Sequence, residues 1–206
     1  VSLDRYRNTD SSPRKSELSD VASVDVVDPL TVKVSMKQPS SPLLATLVDR
    51  AGMILSPAAI QKAGDGLTRN PAGAGTGAFS FVEWASGDHI TLQRNPNYWK
   101  KDSAGKQLPY VDTVTYRFFP DGGVRLTNLK TGDEDIIYNV DRKDIGGLQS
   151  NPDVVYKSVT GLAWQGVQLN TKTAPFDNKA ARQAFAYAID RPAILKTAYF
   201  NVDTEA

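Results

Sequence analysis

Apolar positions recur with two different periods along this chain, and each period predicts a different kind of element. Residues 31–36 alternate apolar with polar side chains, which is typical of a half-buried strand. Together with residues 24–28 they predict a hairpin that turns at Asp28-Pro29. A second hairpin is predicted over 79–92, with aromatic residues in its first strand and a turn at 85–88. A strand over 110–119 is predicted to follow.

Helical spacing appears between and after these hairpins. Leucines fall on one stripe after Ser41-Pro42, and a second short helix is predicted over 58–63 after Ser56-Pro57. The apolar run 53–55 between them is predicted to be buried. Further along, a helix should end at Gly132, which suits the left-handed backbone of a helix C-terminus. The remaining predictions are strands over 135–139, 154–159 and 163–169 and a helical turn over 144–148. This alternation of strands and helices through residues 110–169 favours an α/β fold.

The stretch 170–201 carries the clearest start signals for helices. Asp177 or Asn178 can cap a helix, because a short side-chain oxygen accepts a hydrogen bond from a free backbone N–H. Ala181 and Phe185 then lie on one apolar face at helical spacing. Pro192 begins a second helix at a position where proline is tolerated. We interpret this stretch as a hinge between two lobes, with most of the second lobe missing.

Composition narrows the function mainly by exclusion. The 206 residues contain 24 basic and 23 acidic side chains, which argues against a nucleic acid or an anionic membrane held by bulk charge. There is no cysteine, so disulfides, thiolate metal sites and thiol catalysis are excluded. No apolar run reaches the ~18 residues of a membrane-spanning helix. No signal peptide is visible, but the chain does not begin with Met, so this carries no statement about localisation.

Several short motifs that suggest chemistry have simpler explanations. The glycine-rich stretch 64–77 lacks the Gly-Lys-Ser/Thr ending of a phosphate-binding loop and leads into an aromatic strand, so we interpret it as a linker. His89 is the only histidine and is expected to be exposed and inert, so no metal site is predicted. The acidic run 133–135 is expected to be a solvated corner rather than a pair of catalytic carboxylates. No nucleophile–base arrangement is visible, so we do not expect an enzyme.

Three longer stretches together resemble a known family. They are GTGAFSFVEWASGDHITLQRNPNYW, LPYVDTVTYRFFPDGGVRLTNLKTGDEDIIYNV and NTKTAPFDNKAARQAFAYAIDRPAIL. In this order and spacing they resemble the family 5 extracellular solute-binding proteins of ABC importers, which serve peptides, nickel and some sugars. The similarity covers about residues 24–201. Ala180-Ala181 and Gly122-Gly123 depart from the common pattern.

The resemblance implies a partial periplasmic-binding-protein-like fold of the class II type, with mixed sheets, flanking helices and a truncated second lobe. Its implied organisation is part of an inserted lobe (1–70), a first major lobe (71–166), a hinge crossover (167–170) and the start of the second major lobe (171–206). The implied protein is extracytoplasmic, captures peptides or similar small solutes without a cofactor, and delivers them to ABC permease subunits. Its contact with the membrane would be a lipid anchor outside this chain. A sensor or chaperone use of the fold, or a nickel-chelate or oligosaccharide ligand, stays open.

Site residues follow from the same resemblance. In oligopeptide-binding relatives, a Tyr-Asn pair matching Tyr138 and Asn139 contributes to the ligand pocket. An Asn amide can pair with a peptide backbone through one donor and one acceptor. Trp164 and Gln165 precede the hinge residues Gln168, Leu169 and Asn170 and are the other candidates. Each has a structural alternative: a core strand end for Tyr138, a turn for Asn139, ordinary packing for Trp164. Trp84, Trp99, Arg182 and Asp190 are expected to be structural.

Overall fold

The computed structural model describes residues 1–10, 12, 14–159, 161 and 165–203. The chain forms two compact units, Val1–Phe118 and Phe119–Ala206. The predicted lobe boundaries concern a longer protein and stay predictions.

In its described residues, the first unit contains three short α-helices and two antiparallel sheets. Its helices are α1 (Ser2–Asn8), α2 (Leu43–Val48) and α3 (Pro57–Ala63), and its strands are β1 (Val21–Asp28), β2 (Thr31–Met36), β3 (Phe79–Ala85), β4 (His89–Arg94) and β5 (Thr113–Arg117). Short 3₁₀ turns lie at Lys15–Leu18, Arg50–Gly52 and Gly64–Thr68. Strands β1 and β2 pair with each other, and β3, β4 and β5 pair in chain order. Both predicted hairpins are confirmed.

The core of the first unit lies beside the β1–β2 hairpin. Leu18, Val21 and Ala51 are its buried members, and Leu18 is only 3% exposed. Leucines from α1 and α2 and the inner residues of the hairpin pack around them. The predicted burial of residues 53–55 was wrong for Met53 and Ile54, which are exposed. The core instead takes Ala51 from the 3₁₀ turn just before them, because the chain leaves that turn extended at Met53.

The second unit consists of four α-helices in the described residues. They are α4 (Gly122–Thr131), α5 (Arg142–Gln149), α6 (Lys179–Ala188) and α7 (Arg191–Thr197). Leu126, Ile145 and Leu148 are buried, whereas no residue of α6 or α7 is. The predicted ends of these helices are confirmed at Gly132, which has a φ of +82°, and at Asn178, the N-cap of α6. Asp190 caps α7, with Oδ1 2.9 Å from the Ala193 N–H.

The strands predicted in the second unit did not form. Residues 135–139 and 154–159 run without strand pairing, as do 165–169, and part of 163–169 lies outside the described residues. Ile136, Val155 and Val159 are 85%, 84% and 93% exposed. A strand needs a neighbour that satisfies its backbone N–H and C=O groups. These apolar stretches have the composition of strands but no neighbour among the described residues.

Candidate functional site

The two most specific candidates, Tyr138 and Asn139, lie in the connection between α4 and α5. The Tyr138 side chain is 83% exposed, so it does not form part of a core. Asn139 has a φ of +59°, in the left-handed region that asparagine tolerates better than most residues. The structure therefore presents a large aromatic ring next to an amide in a constrained backbone.

Arg125 in α4 holds the backbone of this connection. Its Nη2 donates to the Asn139 carbonyl oxygen at 3.1 Å. Its Nη1 donates to the carbonyl oxygens of Phe119, at 2.6 Å, and Pro120, at 3.4 Å. A planar guanidinium can serve acceptors in several directions at once. Arg125 therefore connects the segment before α4 to the segment after it.

A second contact between the same segments involves Gly122, the first residue of α4. A Cβ at this position would lie 2.5 Å from Oδ2 and 2.6 Å from Oδ1 of Asp141. Asp141 precedes α5 and follows Asn139 by two residues. A side chain at position 122 would displace the carboxylate, which lies close to the start of α4, where the helix dipole favours negative charge. The departure Gly122-Gly123 from the family pattern thus has a structural role at its first residue.

The other candidates lie toward the end of the second unit. The Gln165 side-chain oxygen accepts a hydrogen bond from the Tyr199 hydroxyl, and the Arg142 guanidinium stacks on the Tyr199 ring at 4.6 Å. Arg142 Nε also donates to the Asp203 carboxylate. Gln165 is therefore hydrogen-bonded to Tyr199, two residues after the end of α7. Trp164 lies outside the described residues.

The predicted hinge residues lie in irregular backbone. Gln168 is exposed and Leu169 is half-buried. The Asn170 side-chain oxygen accepts the Lys172 N–H at 3.0 Å, and its carbonyl accepts the Thr173 N–H at 3.3 Å. Such an Asx turn fixes the direction of the chain after the extended stretch. Whether these three residues act as a hinge stays a prediction.

Arg182 repeats in α6 the local contacts of Arg125. Its Nη1 donates to the carbonyl oxygens of Phe176, at 2.7 Å, and Asp177, at 3.0 Å. In both helices the acceptors lie six and five residues before the arginine, and an Asp or Asn four residues before it caps the helix. The spacing Phe-x-Asp/Asn-x-x-x-Arg occurs at both places in the sequence. This repeated spacing is the signal that could have identified Arg125, which was not among the residues predicted for the site.

His89 differs from its expected role. Its Nδ1 lies 2.8 Å from the Asp88 carboxylate and its Nε2 lies 3.2 Å from the Glu83 carboxylate, and the side chain is mostly shielded. The hydrogen bond to Asp88, and after it the one to Glu83, raises the pKa of His89 above its ordinary value. The expectation of an exposed histidine was therefore wrong, because the His89 side chain is half-buried. The residue links the β3–β4 turn to β3.

Two tyrosine–carboxylate pairs order loops of the first unit. The Tyr6 hydroxyl donates to Glu17 at 2.6 Å, and this bond lowers the pKa of Glu17. The Tyr110 hydroxyl donates to Asp102 at 2.6 Å, and this bond lowers the pKa of Asp102 and raises the pKa of Tyr110. Glu17 also forms an ion pair with Arg14, and the Asp102 carboxylate also accepts a hydrogen bond from the Lys106 N–H. These pairs have structural explanations and add no candidate site.

The tryptophans of the second hairpin landmark are only partly packed. Trp84 lies in β3 and is about half exposed, whereas Trp99 is largely exposed and contacts the Tyr98 ring at a centroid distance of 5.7 Å. Packing alone therefore does not account for Trp99. Across the described ranges, no group of three or more His, Cys, Asp or Glu residues is arranged to hold a metal ion. In the same ranges, no helix has the length and apolar character needed to cross a membrane.

Comparison with known sequences identifies the family. All residues, 1–206, match the profile of the bacterial extracellular solute-binding proteins, family 5, middle region. The chain belongs to this family. Members are transport binding proteins found outside the cytoplasm, and they bind peptides or other small solutes. The resemblance seen in the three sequence stretches is thereby confirmed.

Individual family members agree in fold and extent. The chain is 30% identical to the glutathione-binding protein GsiB of Salmonella paratyphi A, covering all of this chain and 39% of that protein. It superposes on AgaA of A. tumefaciens R10, solved with agropinic acid, with a TM-score of 0.78 and 32% identity, covering 98% of this chain and 40% of AgaA. It also superposes on AppA of Bacillus subtilis, solved with a nonapeptide, with a TM-score of 0.75 and 25% identity, covering 100% and 40%. The chain thus spans about two fifths of these relatives. The predicted partial periplasmic-binding-protein-like fold is confirmed.

Proposed function

We propose that this chain is part of a non-catalytic receptor that captures peptides and delivers them to the permease subunits of an ABC importer. The observation that carries the proposal is the family match over the entire chain. A receptor of this kind needs a cleft that excludes water and a few polar groups that orient the solute. Binding of the solute increases the fraction of receptor molecules that are closed. None of these steps needs a nucleophile or a general base.

Tyr138 and Asn139 are the proposed solute contacts within this chain. Support comes from the exposure of the Tyr138 ring and from the constrained backbone at Asn139. A tyrosine offers an apolar face with a hydroxyl at its tip, and an asparagine amide offers one donor group and one acceptor for a peptide unit. Trp164 and Gln165 are further proposed contacts. Gln165 would have to exchange its bond with Tyr199 for one with the solute.

Peptides are the proposed solute class because the relatives' ligands include them. GsiB is named for glutathione, a tripeptide, and AppA was solved with a nonapeptide. A site that recognises backbone amides accepts such ligands whatever their side chains. The related nickel-binding protein of Campylobacter jejuni was solved with Ni(L-His), so a metal chelate is the second candidate. The near-neutral charge balance favours neither ligand over the other.

The test uses the full-length protein that contains this chain. Calorimetry with glutathione, with the tetrapeptide Ser-Thr-Ser-Ala and with Ni(L-His) should give saturable binding of at least one of the two peptides. Mass spectrometry should detect the peptide intact. Cleavage of more peptide molecules than there are protein molecules would contradict a receptor role. Binding of Ni(L-His) alone would favour the second candidate, and binding of none of the three would count against the peptide proposal.

Variants localise the proposed contacts. Tyr138→Ala and Asn139→Ala should each weaken peptide binding by about tenfold, since one hydrogen bond or one buried ring contributes on the order of 1.4 kcal/mol. Tyr187→Ala is the matched control, because Tyr187 is 89% exposed and lies in α6. Equal losses in all three variants would refute the assignment. The 206-residue chain alone should bind at least ~100-fold more weakly, because closure needs both lobes of a cleft.

A further inference from the structure

The backbone at Asn139 has a left-handed conformation that few residues other than glycine adopt. A non-glycine residue with φ near +59° lies in a sparsely populated region, and such residues persist when their surroundings determine them. The Asn139 carbonyl oxygen accepts a hydrogen bond from Arg125 Nη2 at 3.1 Å. Asparagine lowers the cost of this conformation. Arg125 is a described group that bonds to the backbone of this residue.

Arg125 is itself well anchored. Its Nη1 is fixed by the Phe119 carbonyl oxygen at 2.6 Å, in a partly buried bond. The next residue in α4, Leu126, is buried. Both terminal nitrogens of the guanidinium therefore have acceptors, Nη1 on the segment before α4 and Nη2 on the segment after it. A lysine could not replace it, because a single ammonium lacks the planar fork that reaches acceptors on two segments.

The segment is fixed at a second point two residues later. The Asp141 carboxylate occupies the space where Gly122 would carry a Cβ. Gly122 and Arg125 lie on the first turn of α4, so one helical turn contacts both Asn139 and Asp141. The backbone of Tyr138 directly precedes this doubly held stretch.

Arg182 provides an internal comparison. It makes the same two bonds to the carbonyl oxygens before its own helix. In the described part of the chain, only Arg125 adds a third bond, to a residue beyond its own helix. The two bonds to preceding carbonyl oxygens thus occur at the start of both helices. The bond to Asn139 occurs only at the start of α4.

We propose that Arg125 is a positioning residue for solute binding, which holds the backbone at Asn139 so that the Tyr138 and Asn139 side chains are presented together. This inference rests on the proposed function of those two residues. Loss of the Arg125–Asn139 bond does not remove the Tyr138 and Asn139 side chains. It lowers the fraction of molecules in which the two side chains are positioned to bind the solute. Apparent affinity falls in proportion to that fraction.

The first measurement is hydrogen exchange on the full-length protein without solute. Arg125→Gln should raise exchange over residues 137–141 by about tenfold, while α5 serves as the internal reference for an intact fold. Arg125→Lys should act in the same direction, and it keeps the charge if the glutamine variant does not fold. Arg182→Gln and Lys130→Gln should leave exchange over 137–141 unchanged. Exchange in both Arg125 variants within about twofold of wild type would overturn the proposal.

The second measurement is calorimetry with glutathione and with Ser-Thr-Ser-Ala. Arg125→Gln and Arg125→Lys should each raise Kd by about tenfold, and Lys130→Gln, which removes a charge from the same helix, should not. An unchanged Kd despite faster exchange would overturn the positioning role. If wild type binds neither peptide, the proposed function fails. Exchange at 137–141 then decides by itself whether Arg125 holds this segment.

Discussion

Gly122 gives the sharpest test of how the start of α4 is packed. Alanine at the first position of a helix would ordinarily be tolerated or slightly favourable, by up to about 0.5–1 kcal/mol relative to glycine. Here the added Cβ would lie 2.5 Å from Asp141 Oδ2, 2.6 Å from Oδ1 and 2.7 Å from Cγ. The exposed Asp141 carboxylate must rotate away from its present position, and an unfavourable rotamer costs about 0.5–1.5 kcal/mol. We therefore expect Gly122→Ala to show no helical gain and to lower the free energy of unfolding by up to about 1 kcal/mol.

A double-mutant cycle with Asp141→Ala isolates the contact. The Asp141 side chain makes no capping hydrogen bond to α5, so its removal alone should cost little. In Gly122→Ala/Asp141→Ala the steric conflict is gone, and the coupling energy should be about 0.5–1.5 kcal/mol in favour of the double variant. Gly146→Ala is the control, because nothing lies within 4 Å of a Cβ there. Within α5 it should stabilise by about 0.5–1 kcal/mol.

The assay is urea unfolding of the 206-residue chain followed by helical circular dichroism. A shift of the midpoint at constant m-value reports the change in stability. The reasoning is refuted if Gly122→Ala unfolds at a higher urea midpoint than wild type, by about the 0.5–1 kcal/mol that the helical preference of alanine alone would give. It is also refuted if the coupling to Asp141→Ala is below about 0.5 kcal/mol, the scatter expected for independent sites.

Two further predictions concern the first unit. Leu18→Ala should cost about 3 kcal/mol, since Leu18 is buried among the residues of the β1–β2 core, whereas Leu30→Ala, at a fully exposed position, should change stability by less than about 0.5 kcal/mol in urea unfolding. His89 should titrate by NMR above the ordinary histidine pKa of about 6.5, because both ring nitrogens face carboxylates. Its contribution to stability should be fully present below about pH 6.5 and disappear as the pH rises through its folded-state pKa. A difference between wild type and His89→Gln that grows with rising pH would contradict this.

Local signals in the sequence predicted local structure well. The caps at Ser56 and Asn178 and the glycine stop at Gly132 all lie where their residue types indicated. Each depends on contacts within about four residues, so the types of the neighbouring residues are sufficient to predict it. The hairpins were predictable for the same reason. Alternation and a tight turn determine which residues pair.

Contacts that join distant or diagonal positions were not predictable in this way. The bond from Arg125 to Asn139 spans 14 residues and depends on how two helices are connected. His89 pairs in register with Ala85, which makes Glu83 its diagonal neighbour on the same face. Register at this level requires the strand pairing itself. The candidate pair Tyr138 and Asn139 came from the family resemblance, and its supporting residue came only from the structure.

The missing strands of the second unit have a different explanation. Ile136, Val155 and Val159 were predicted in strands, and all three are more than 80% exposed and lie outside any strand. Burying one such side chain contributes about 1.5–3 kcal/mol, so their pattern is informative only if something covers them. The chain spans about 39% of the related GsiB protein. We infer that the apolar pattern of these stretches reflects pairing with sequence that this chain does not contain, which is why correct strand composition produced no strand here.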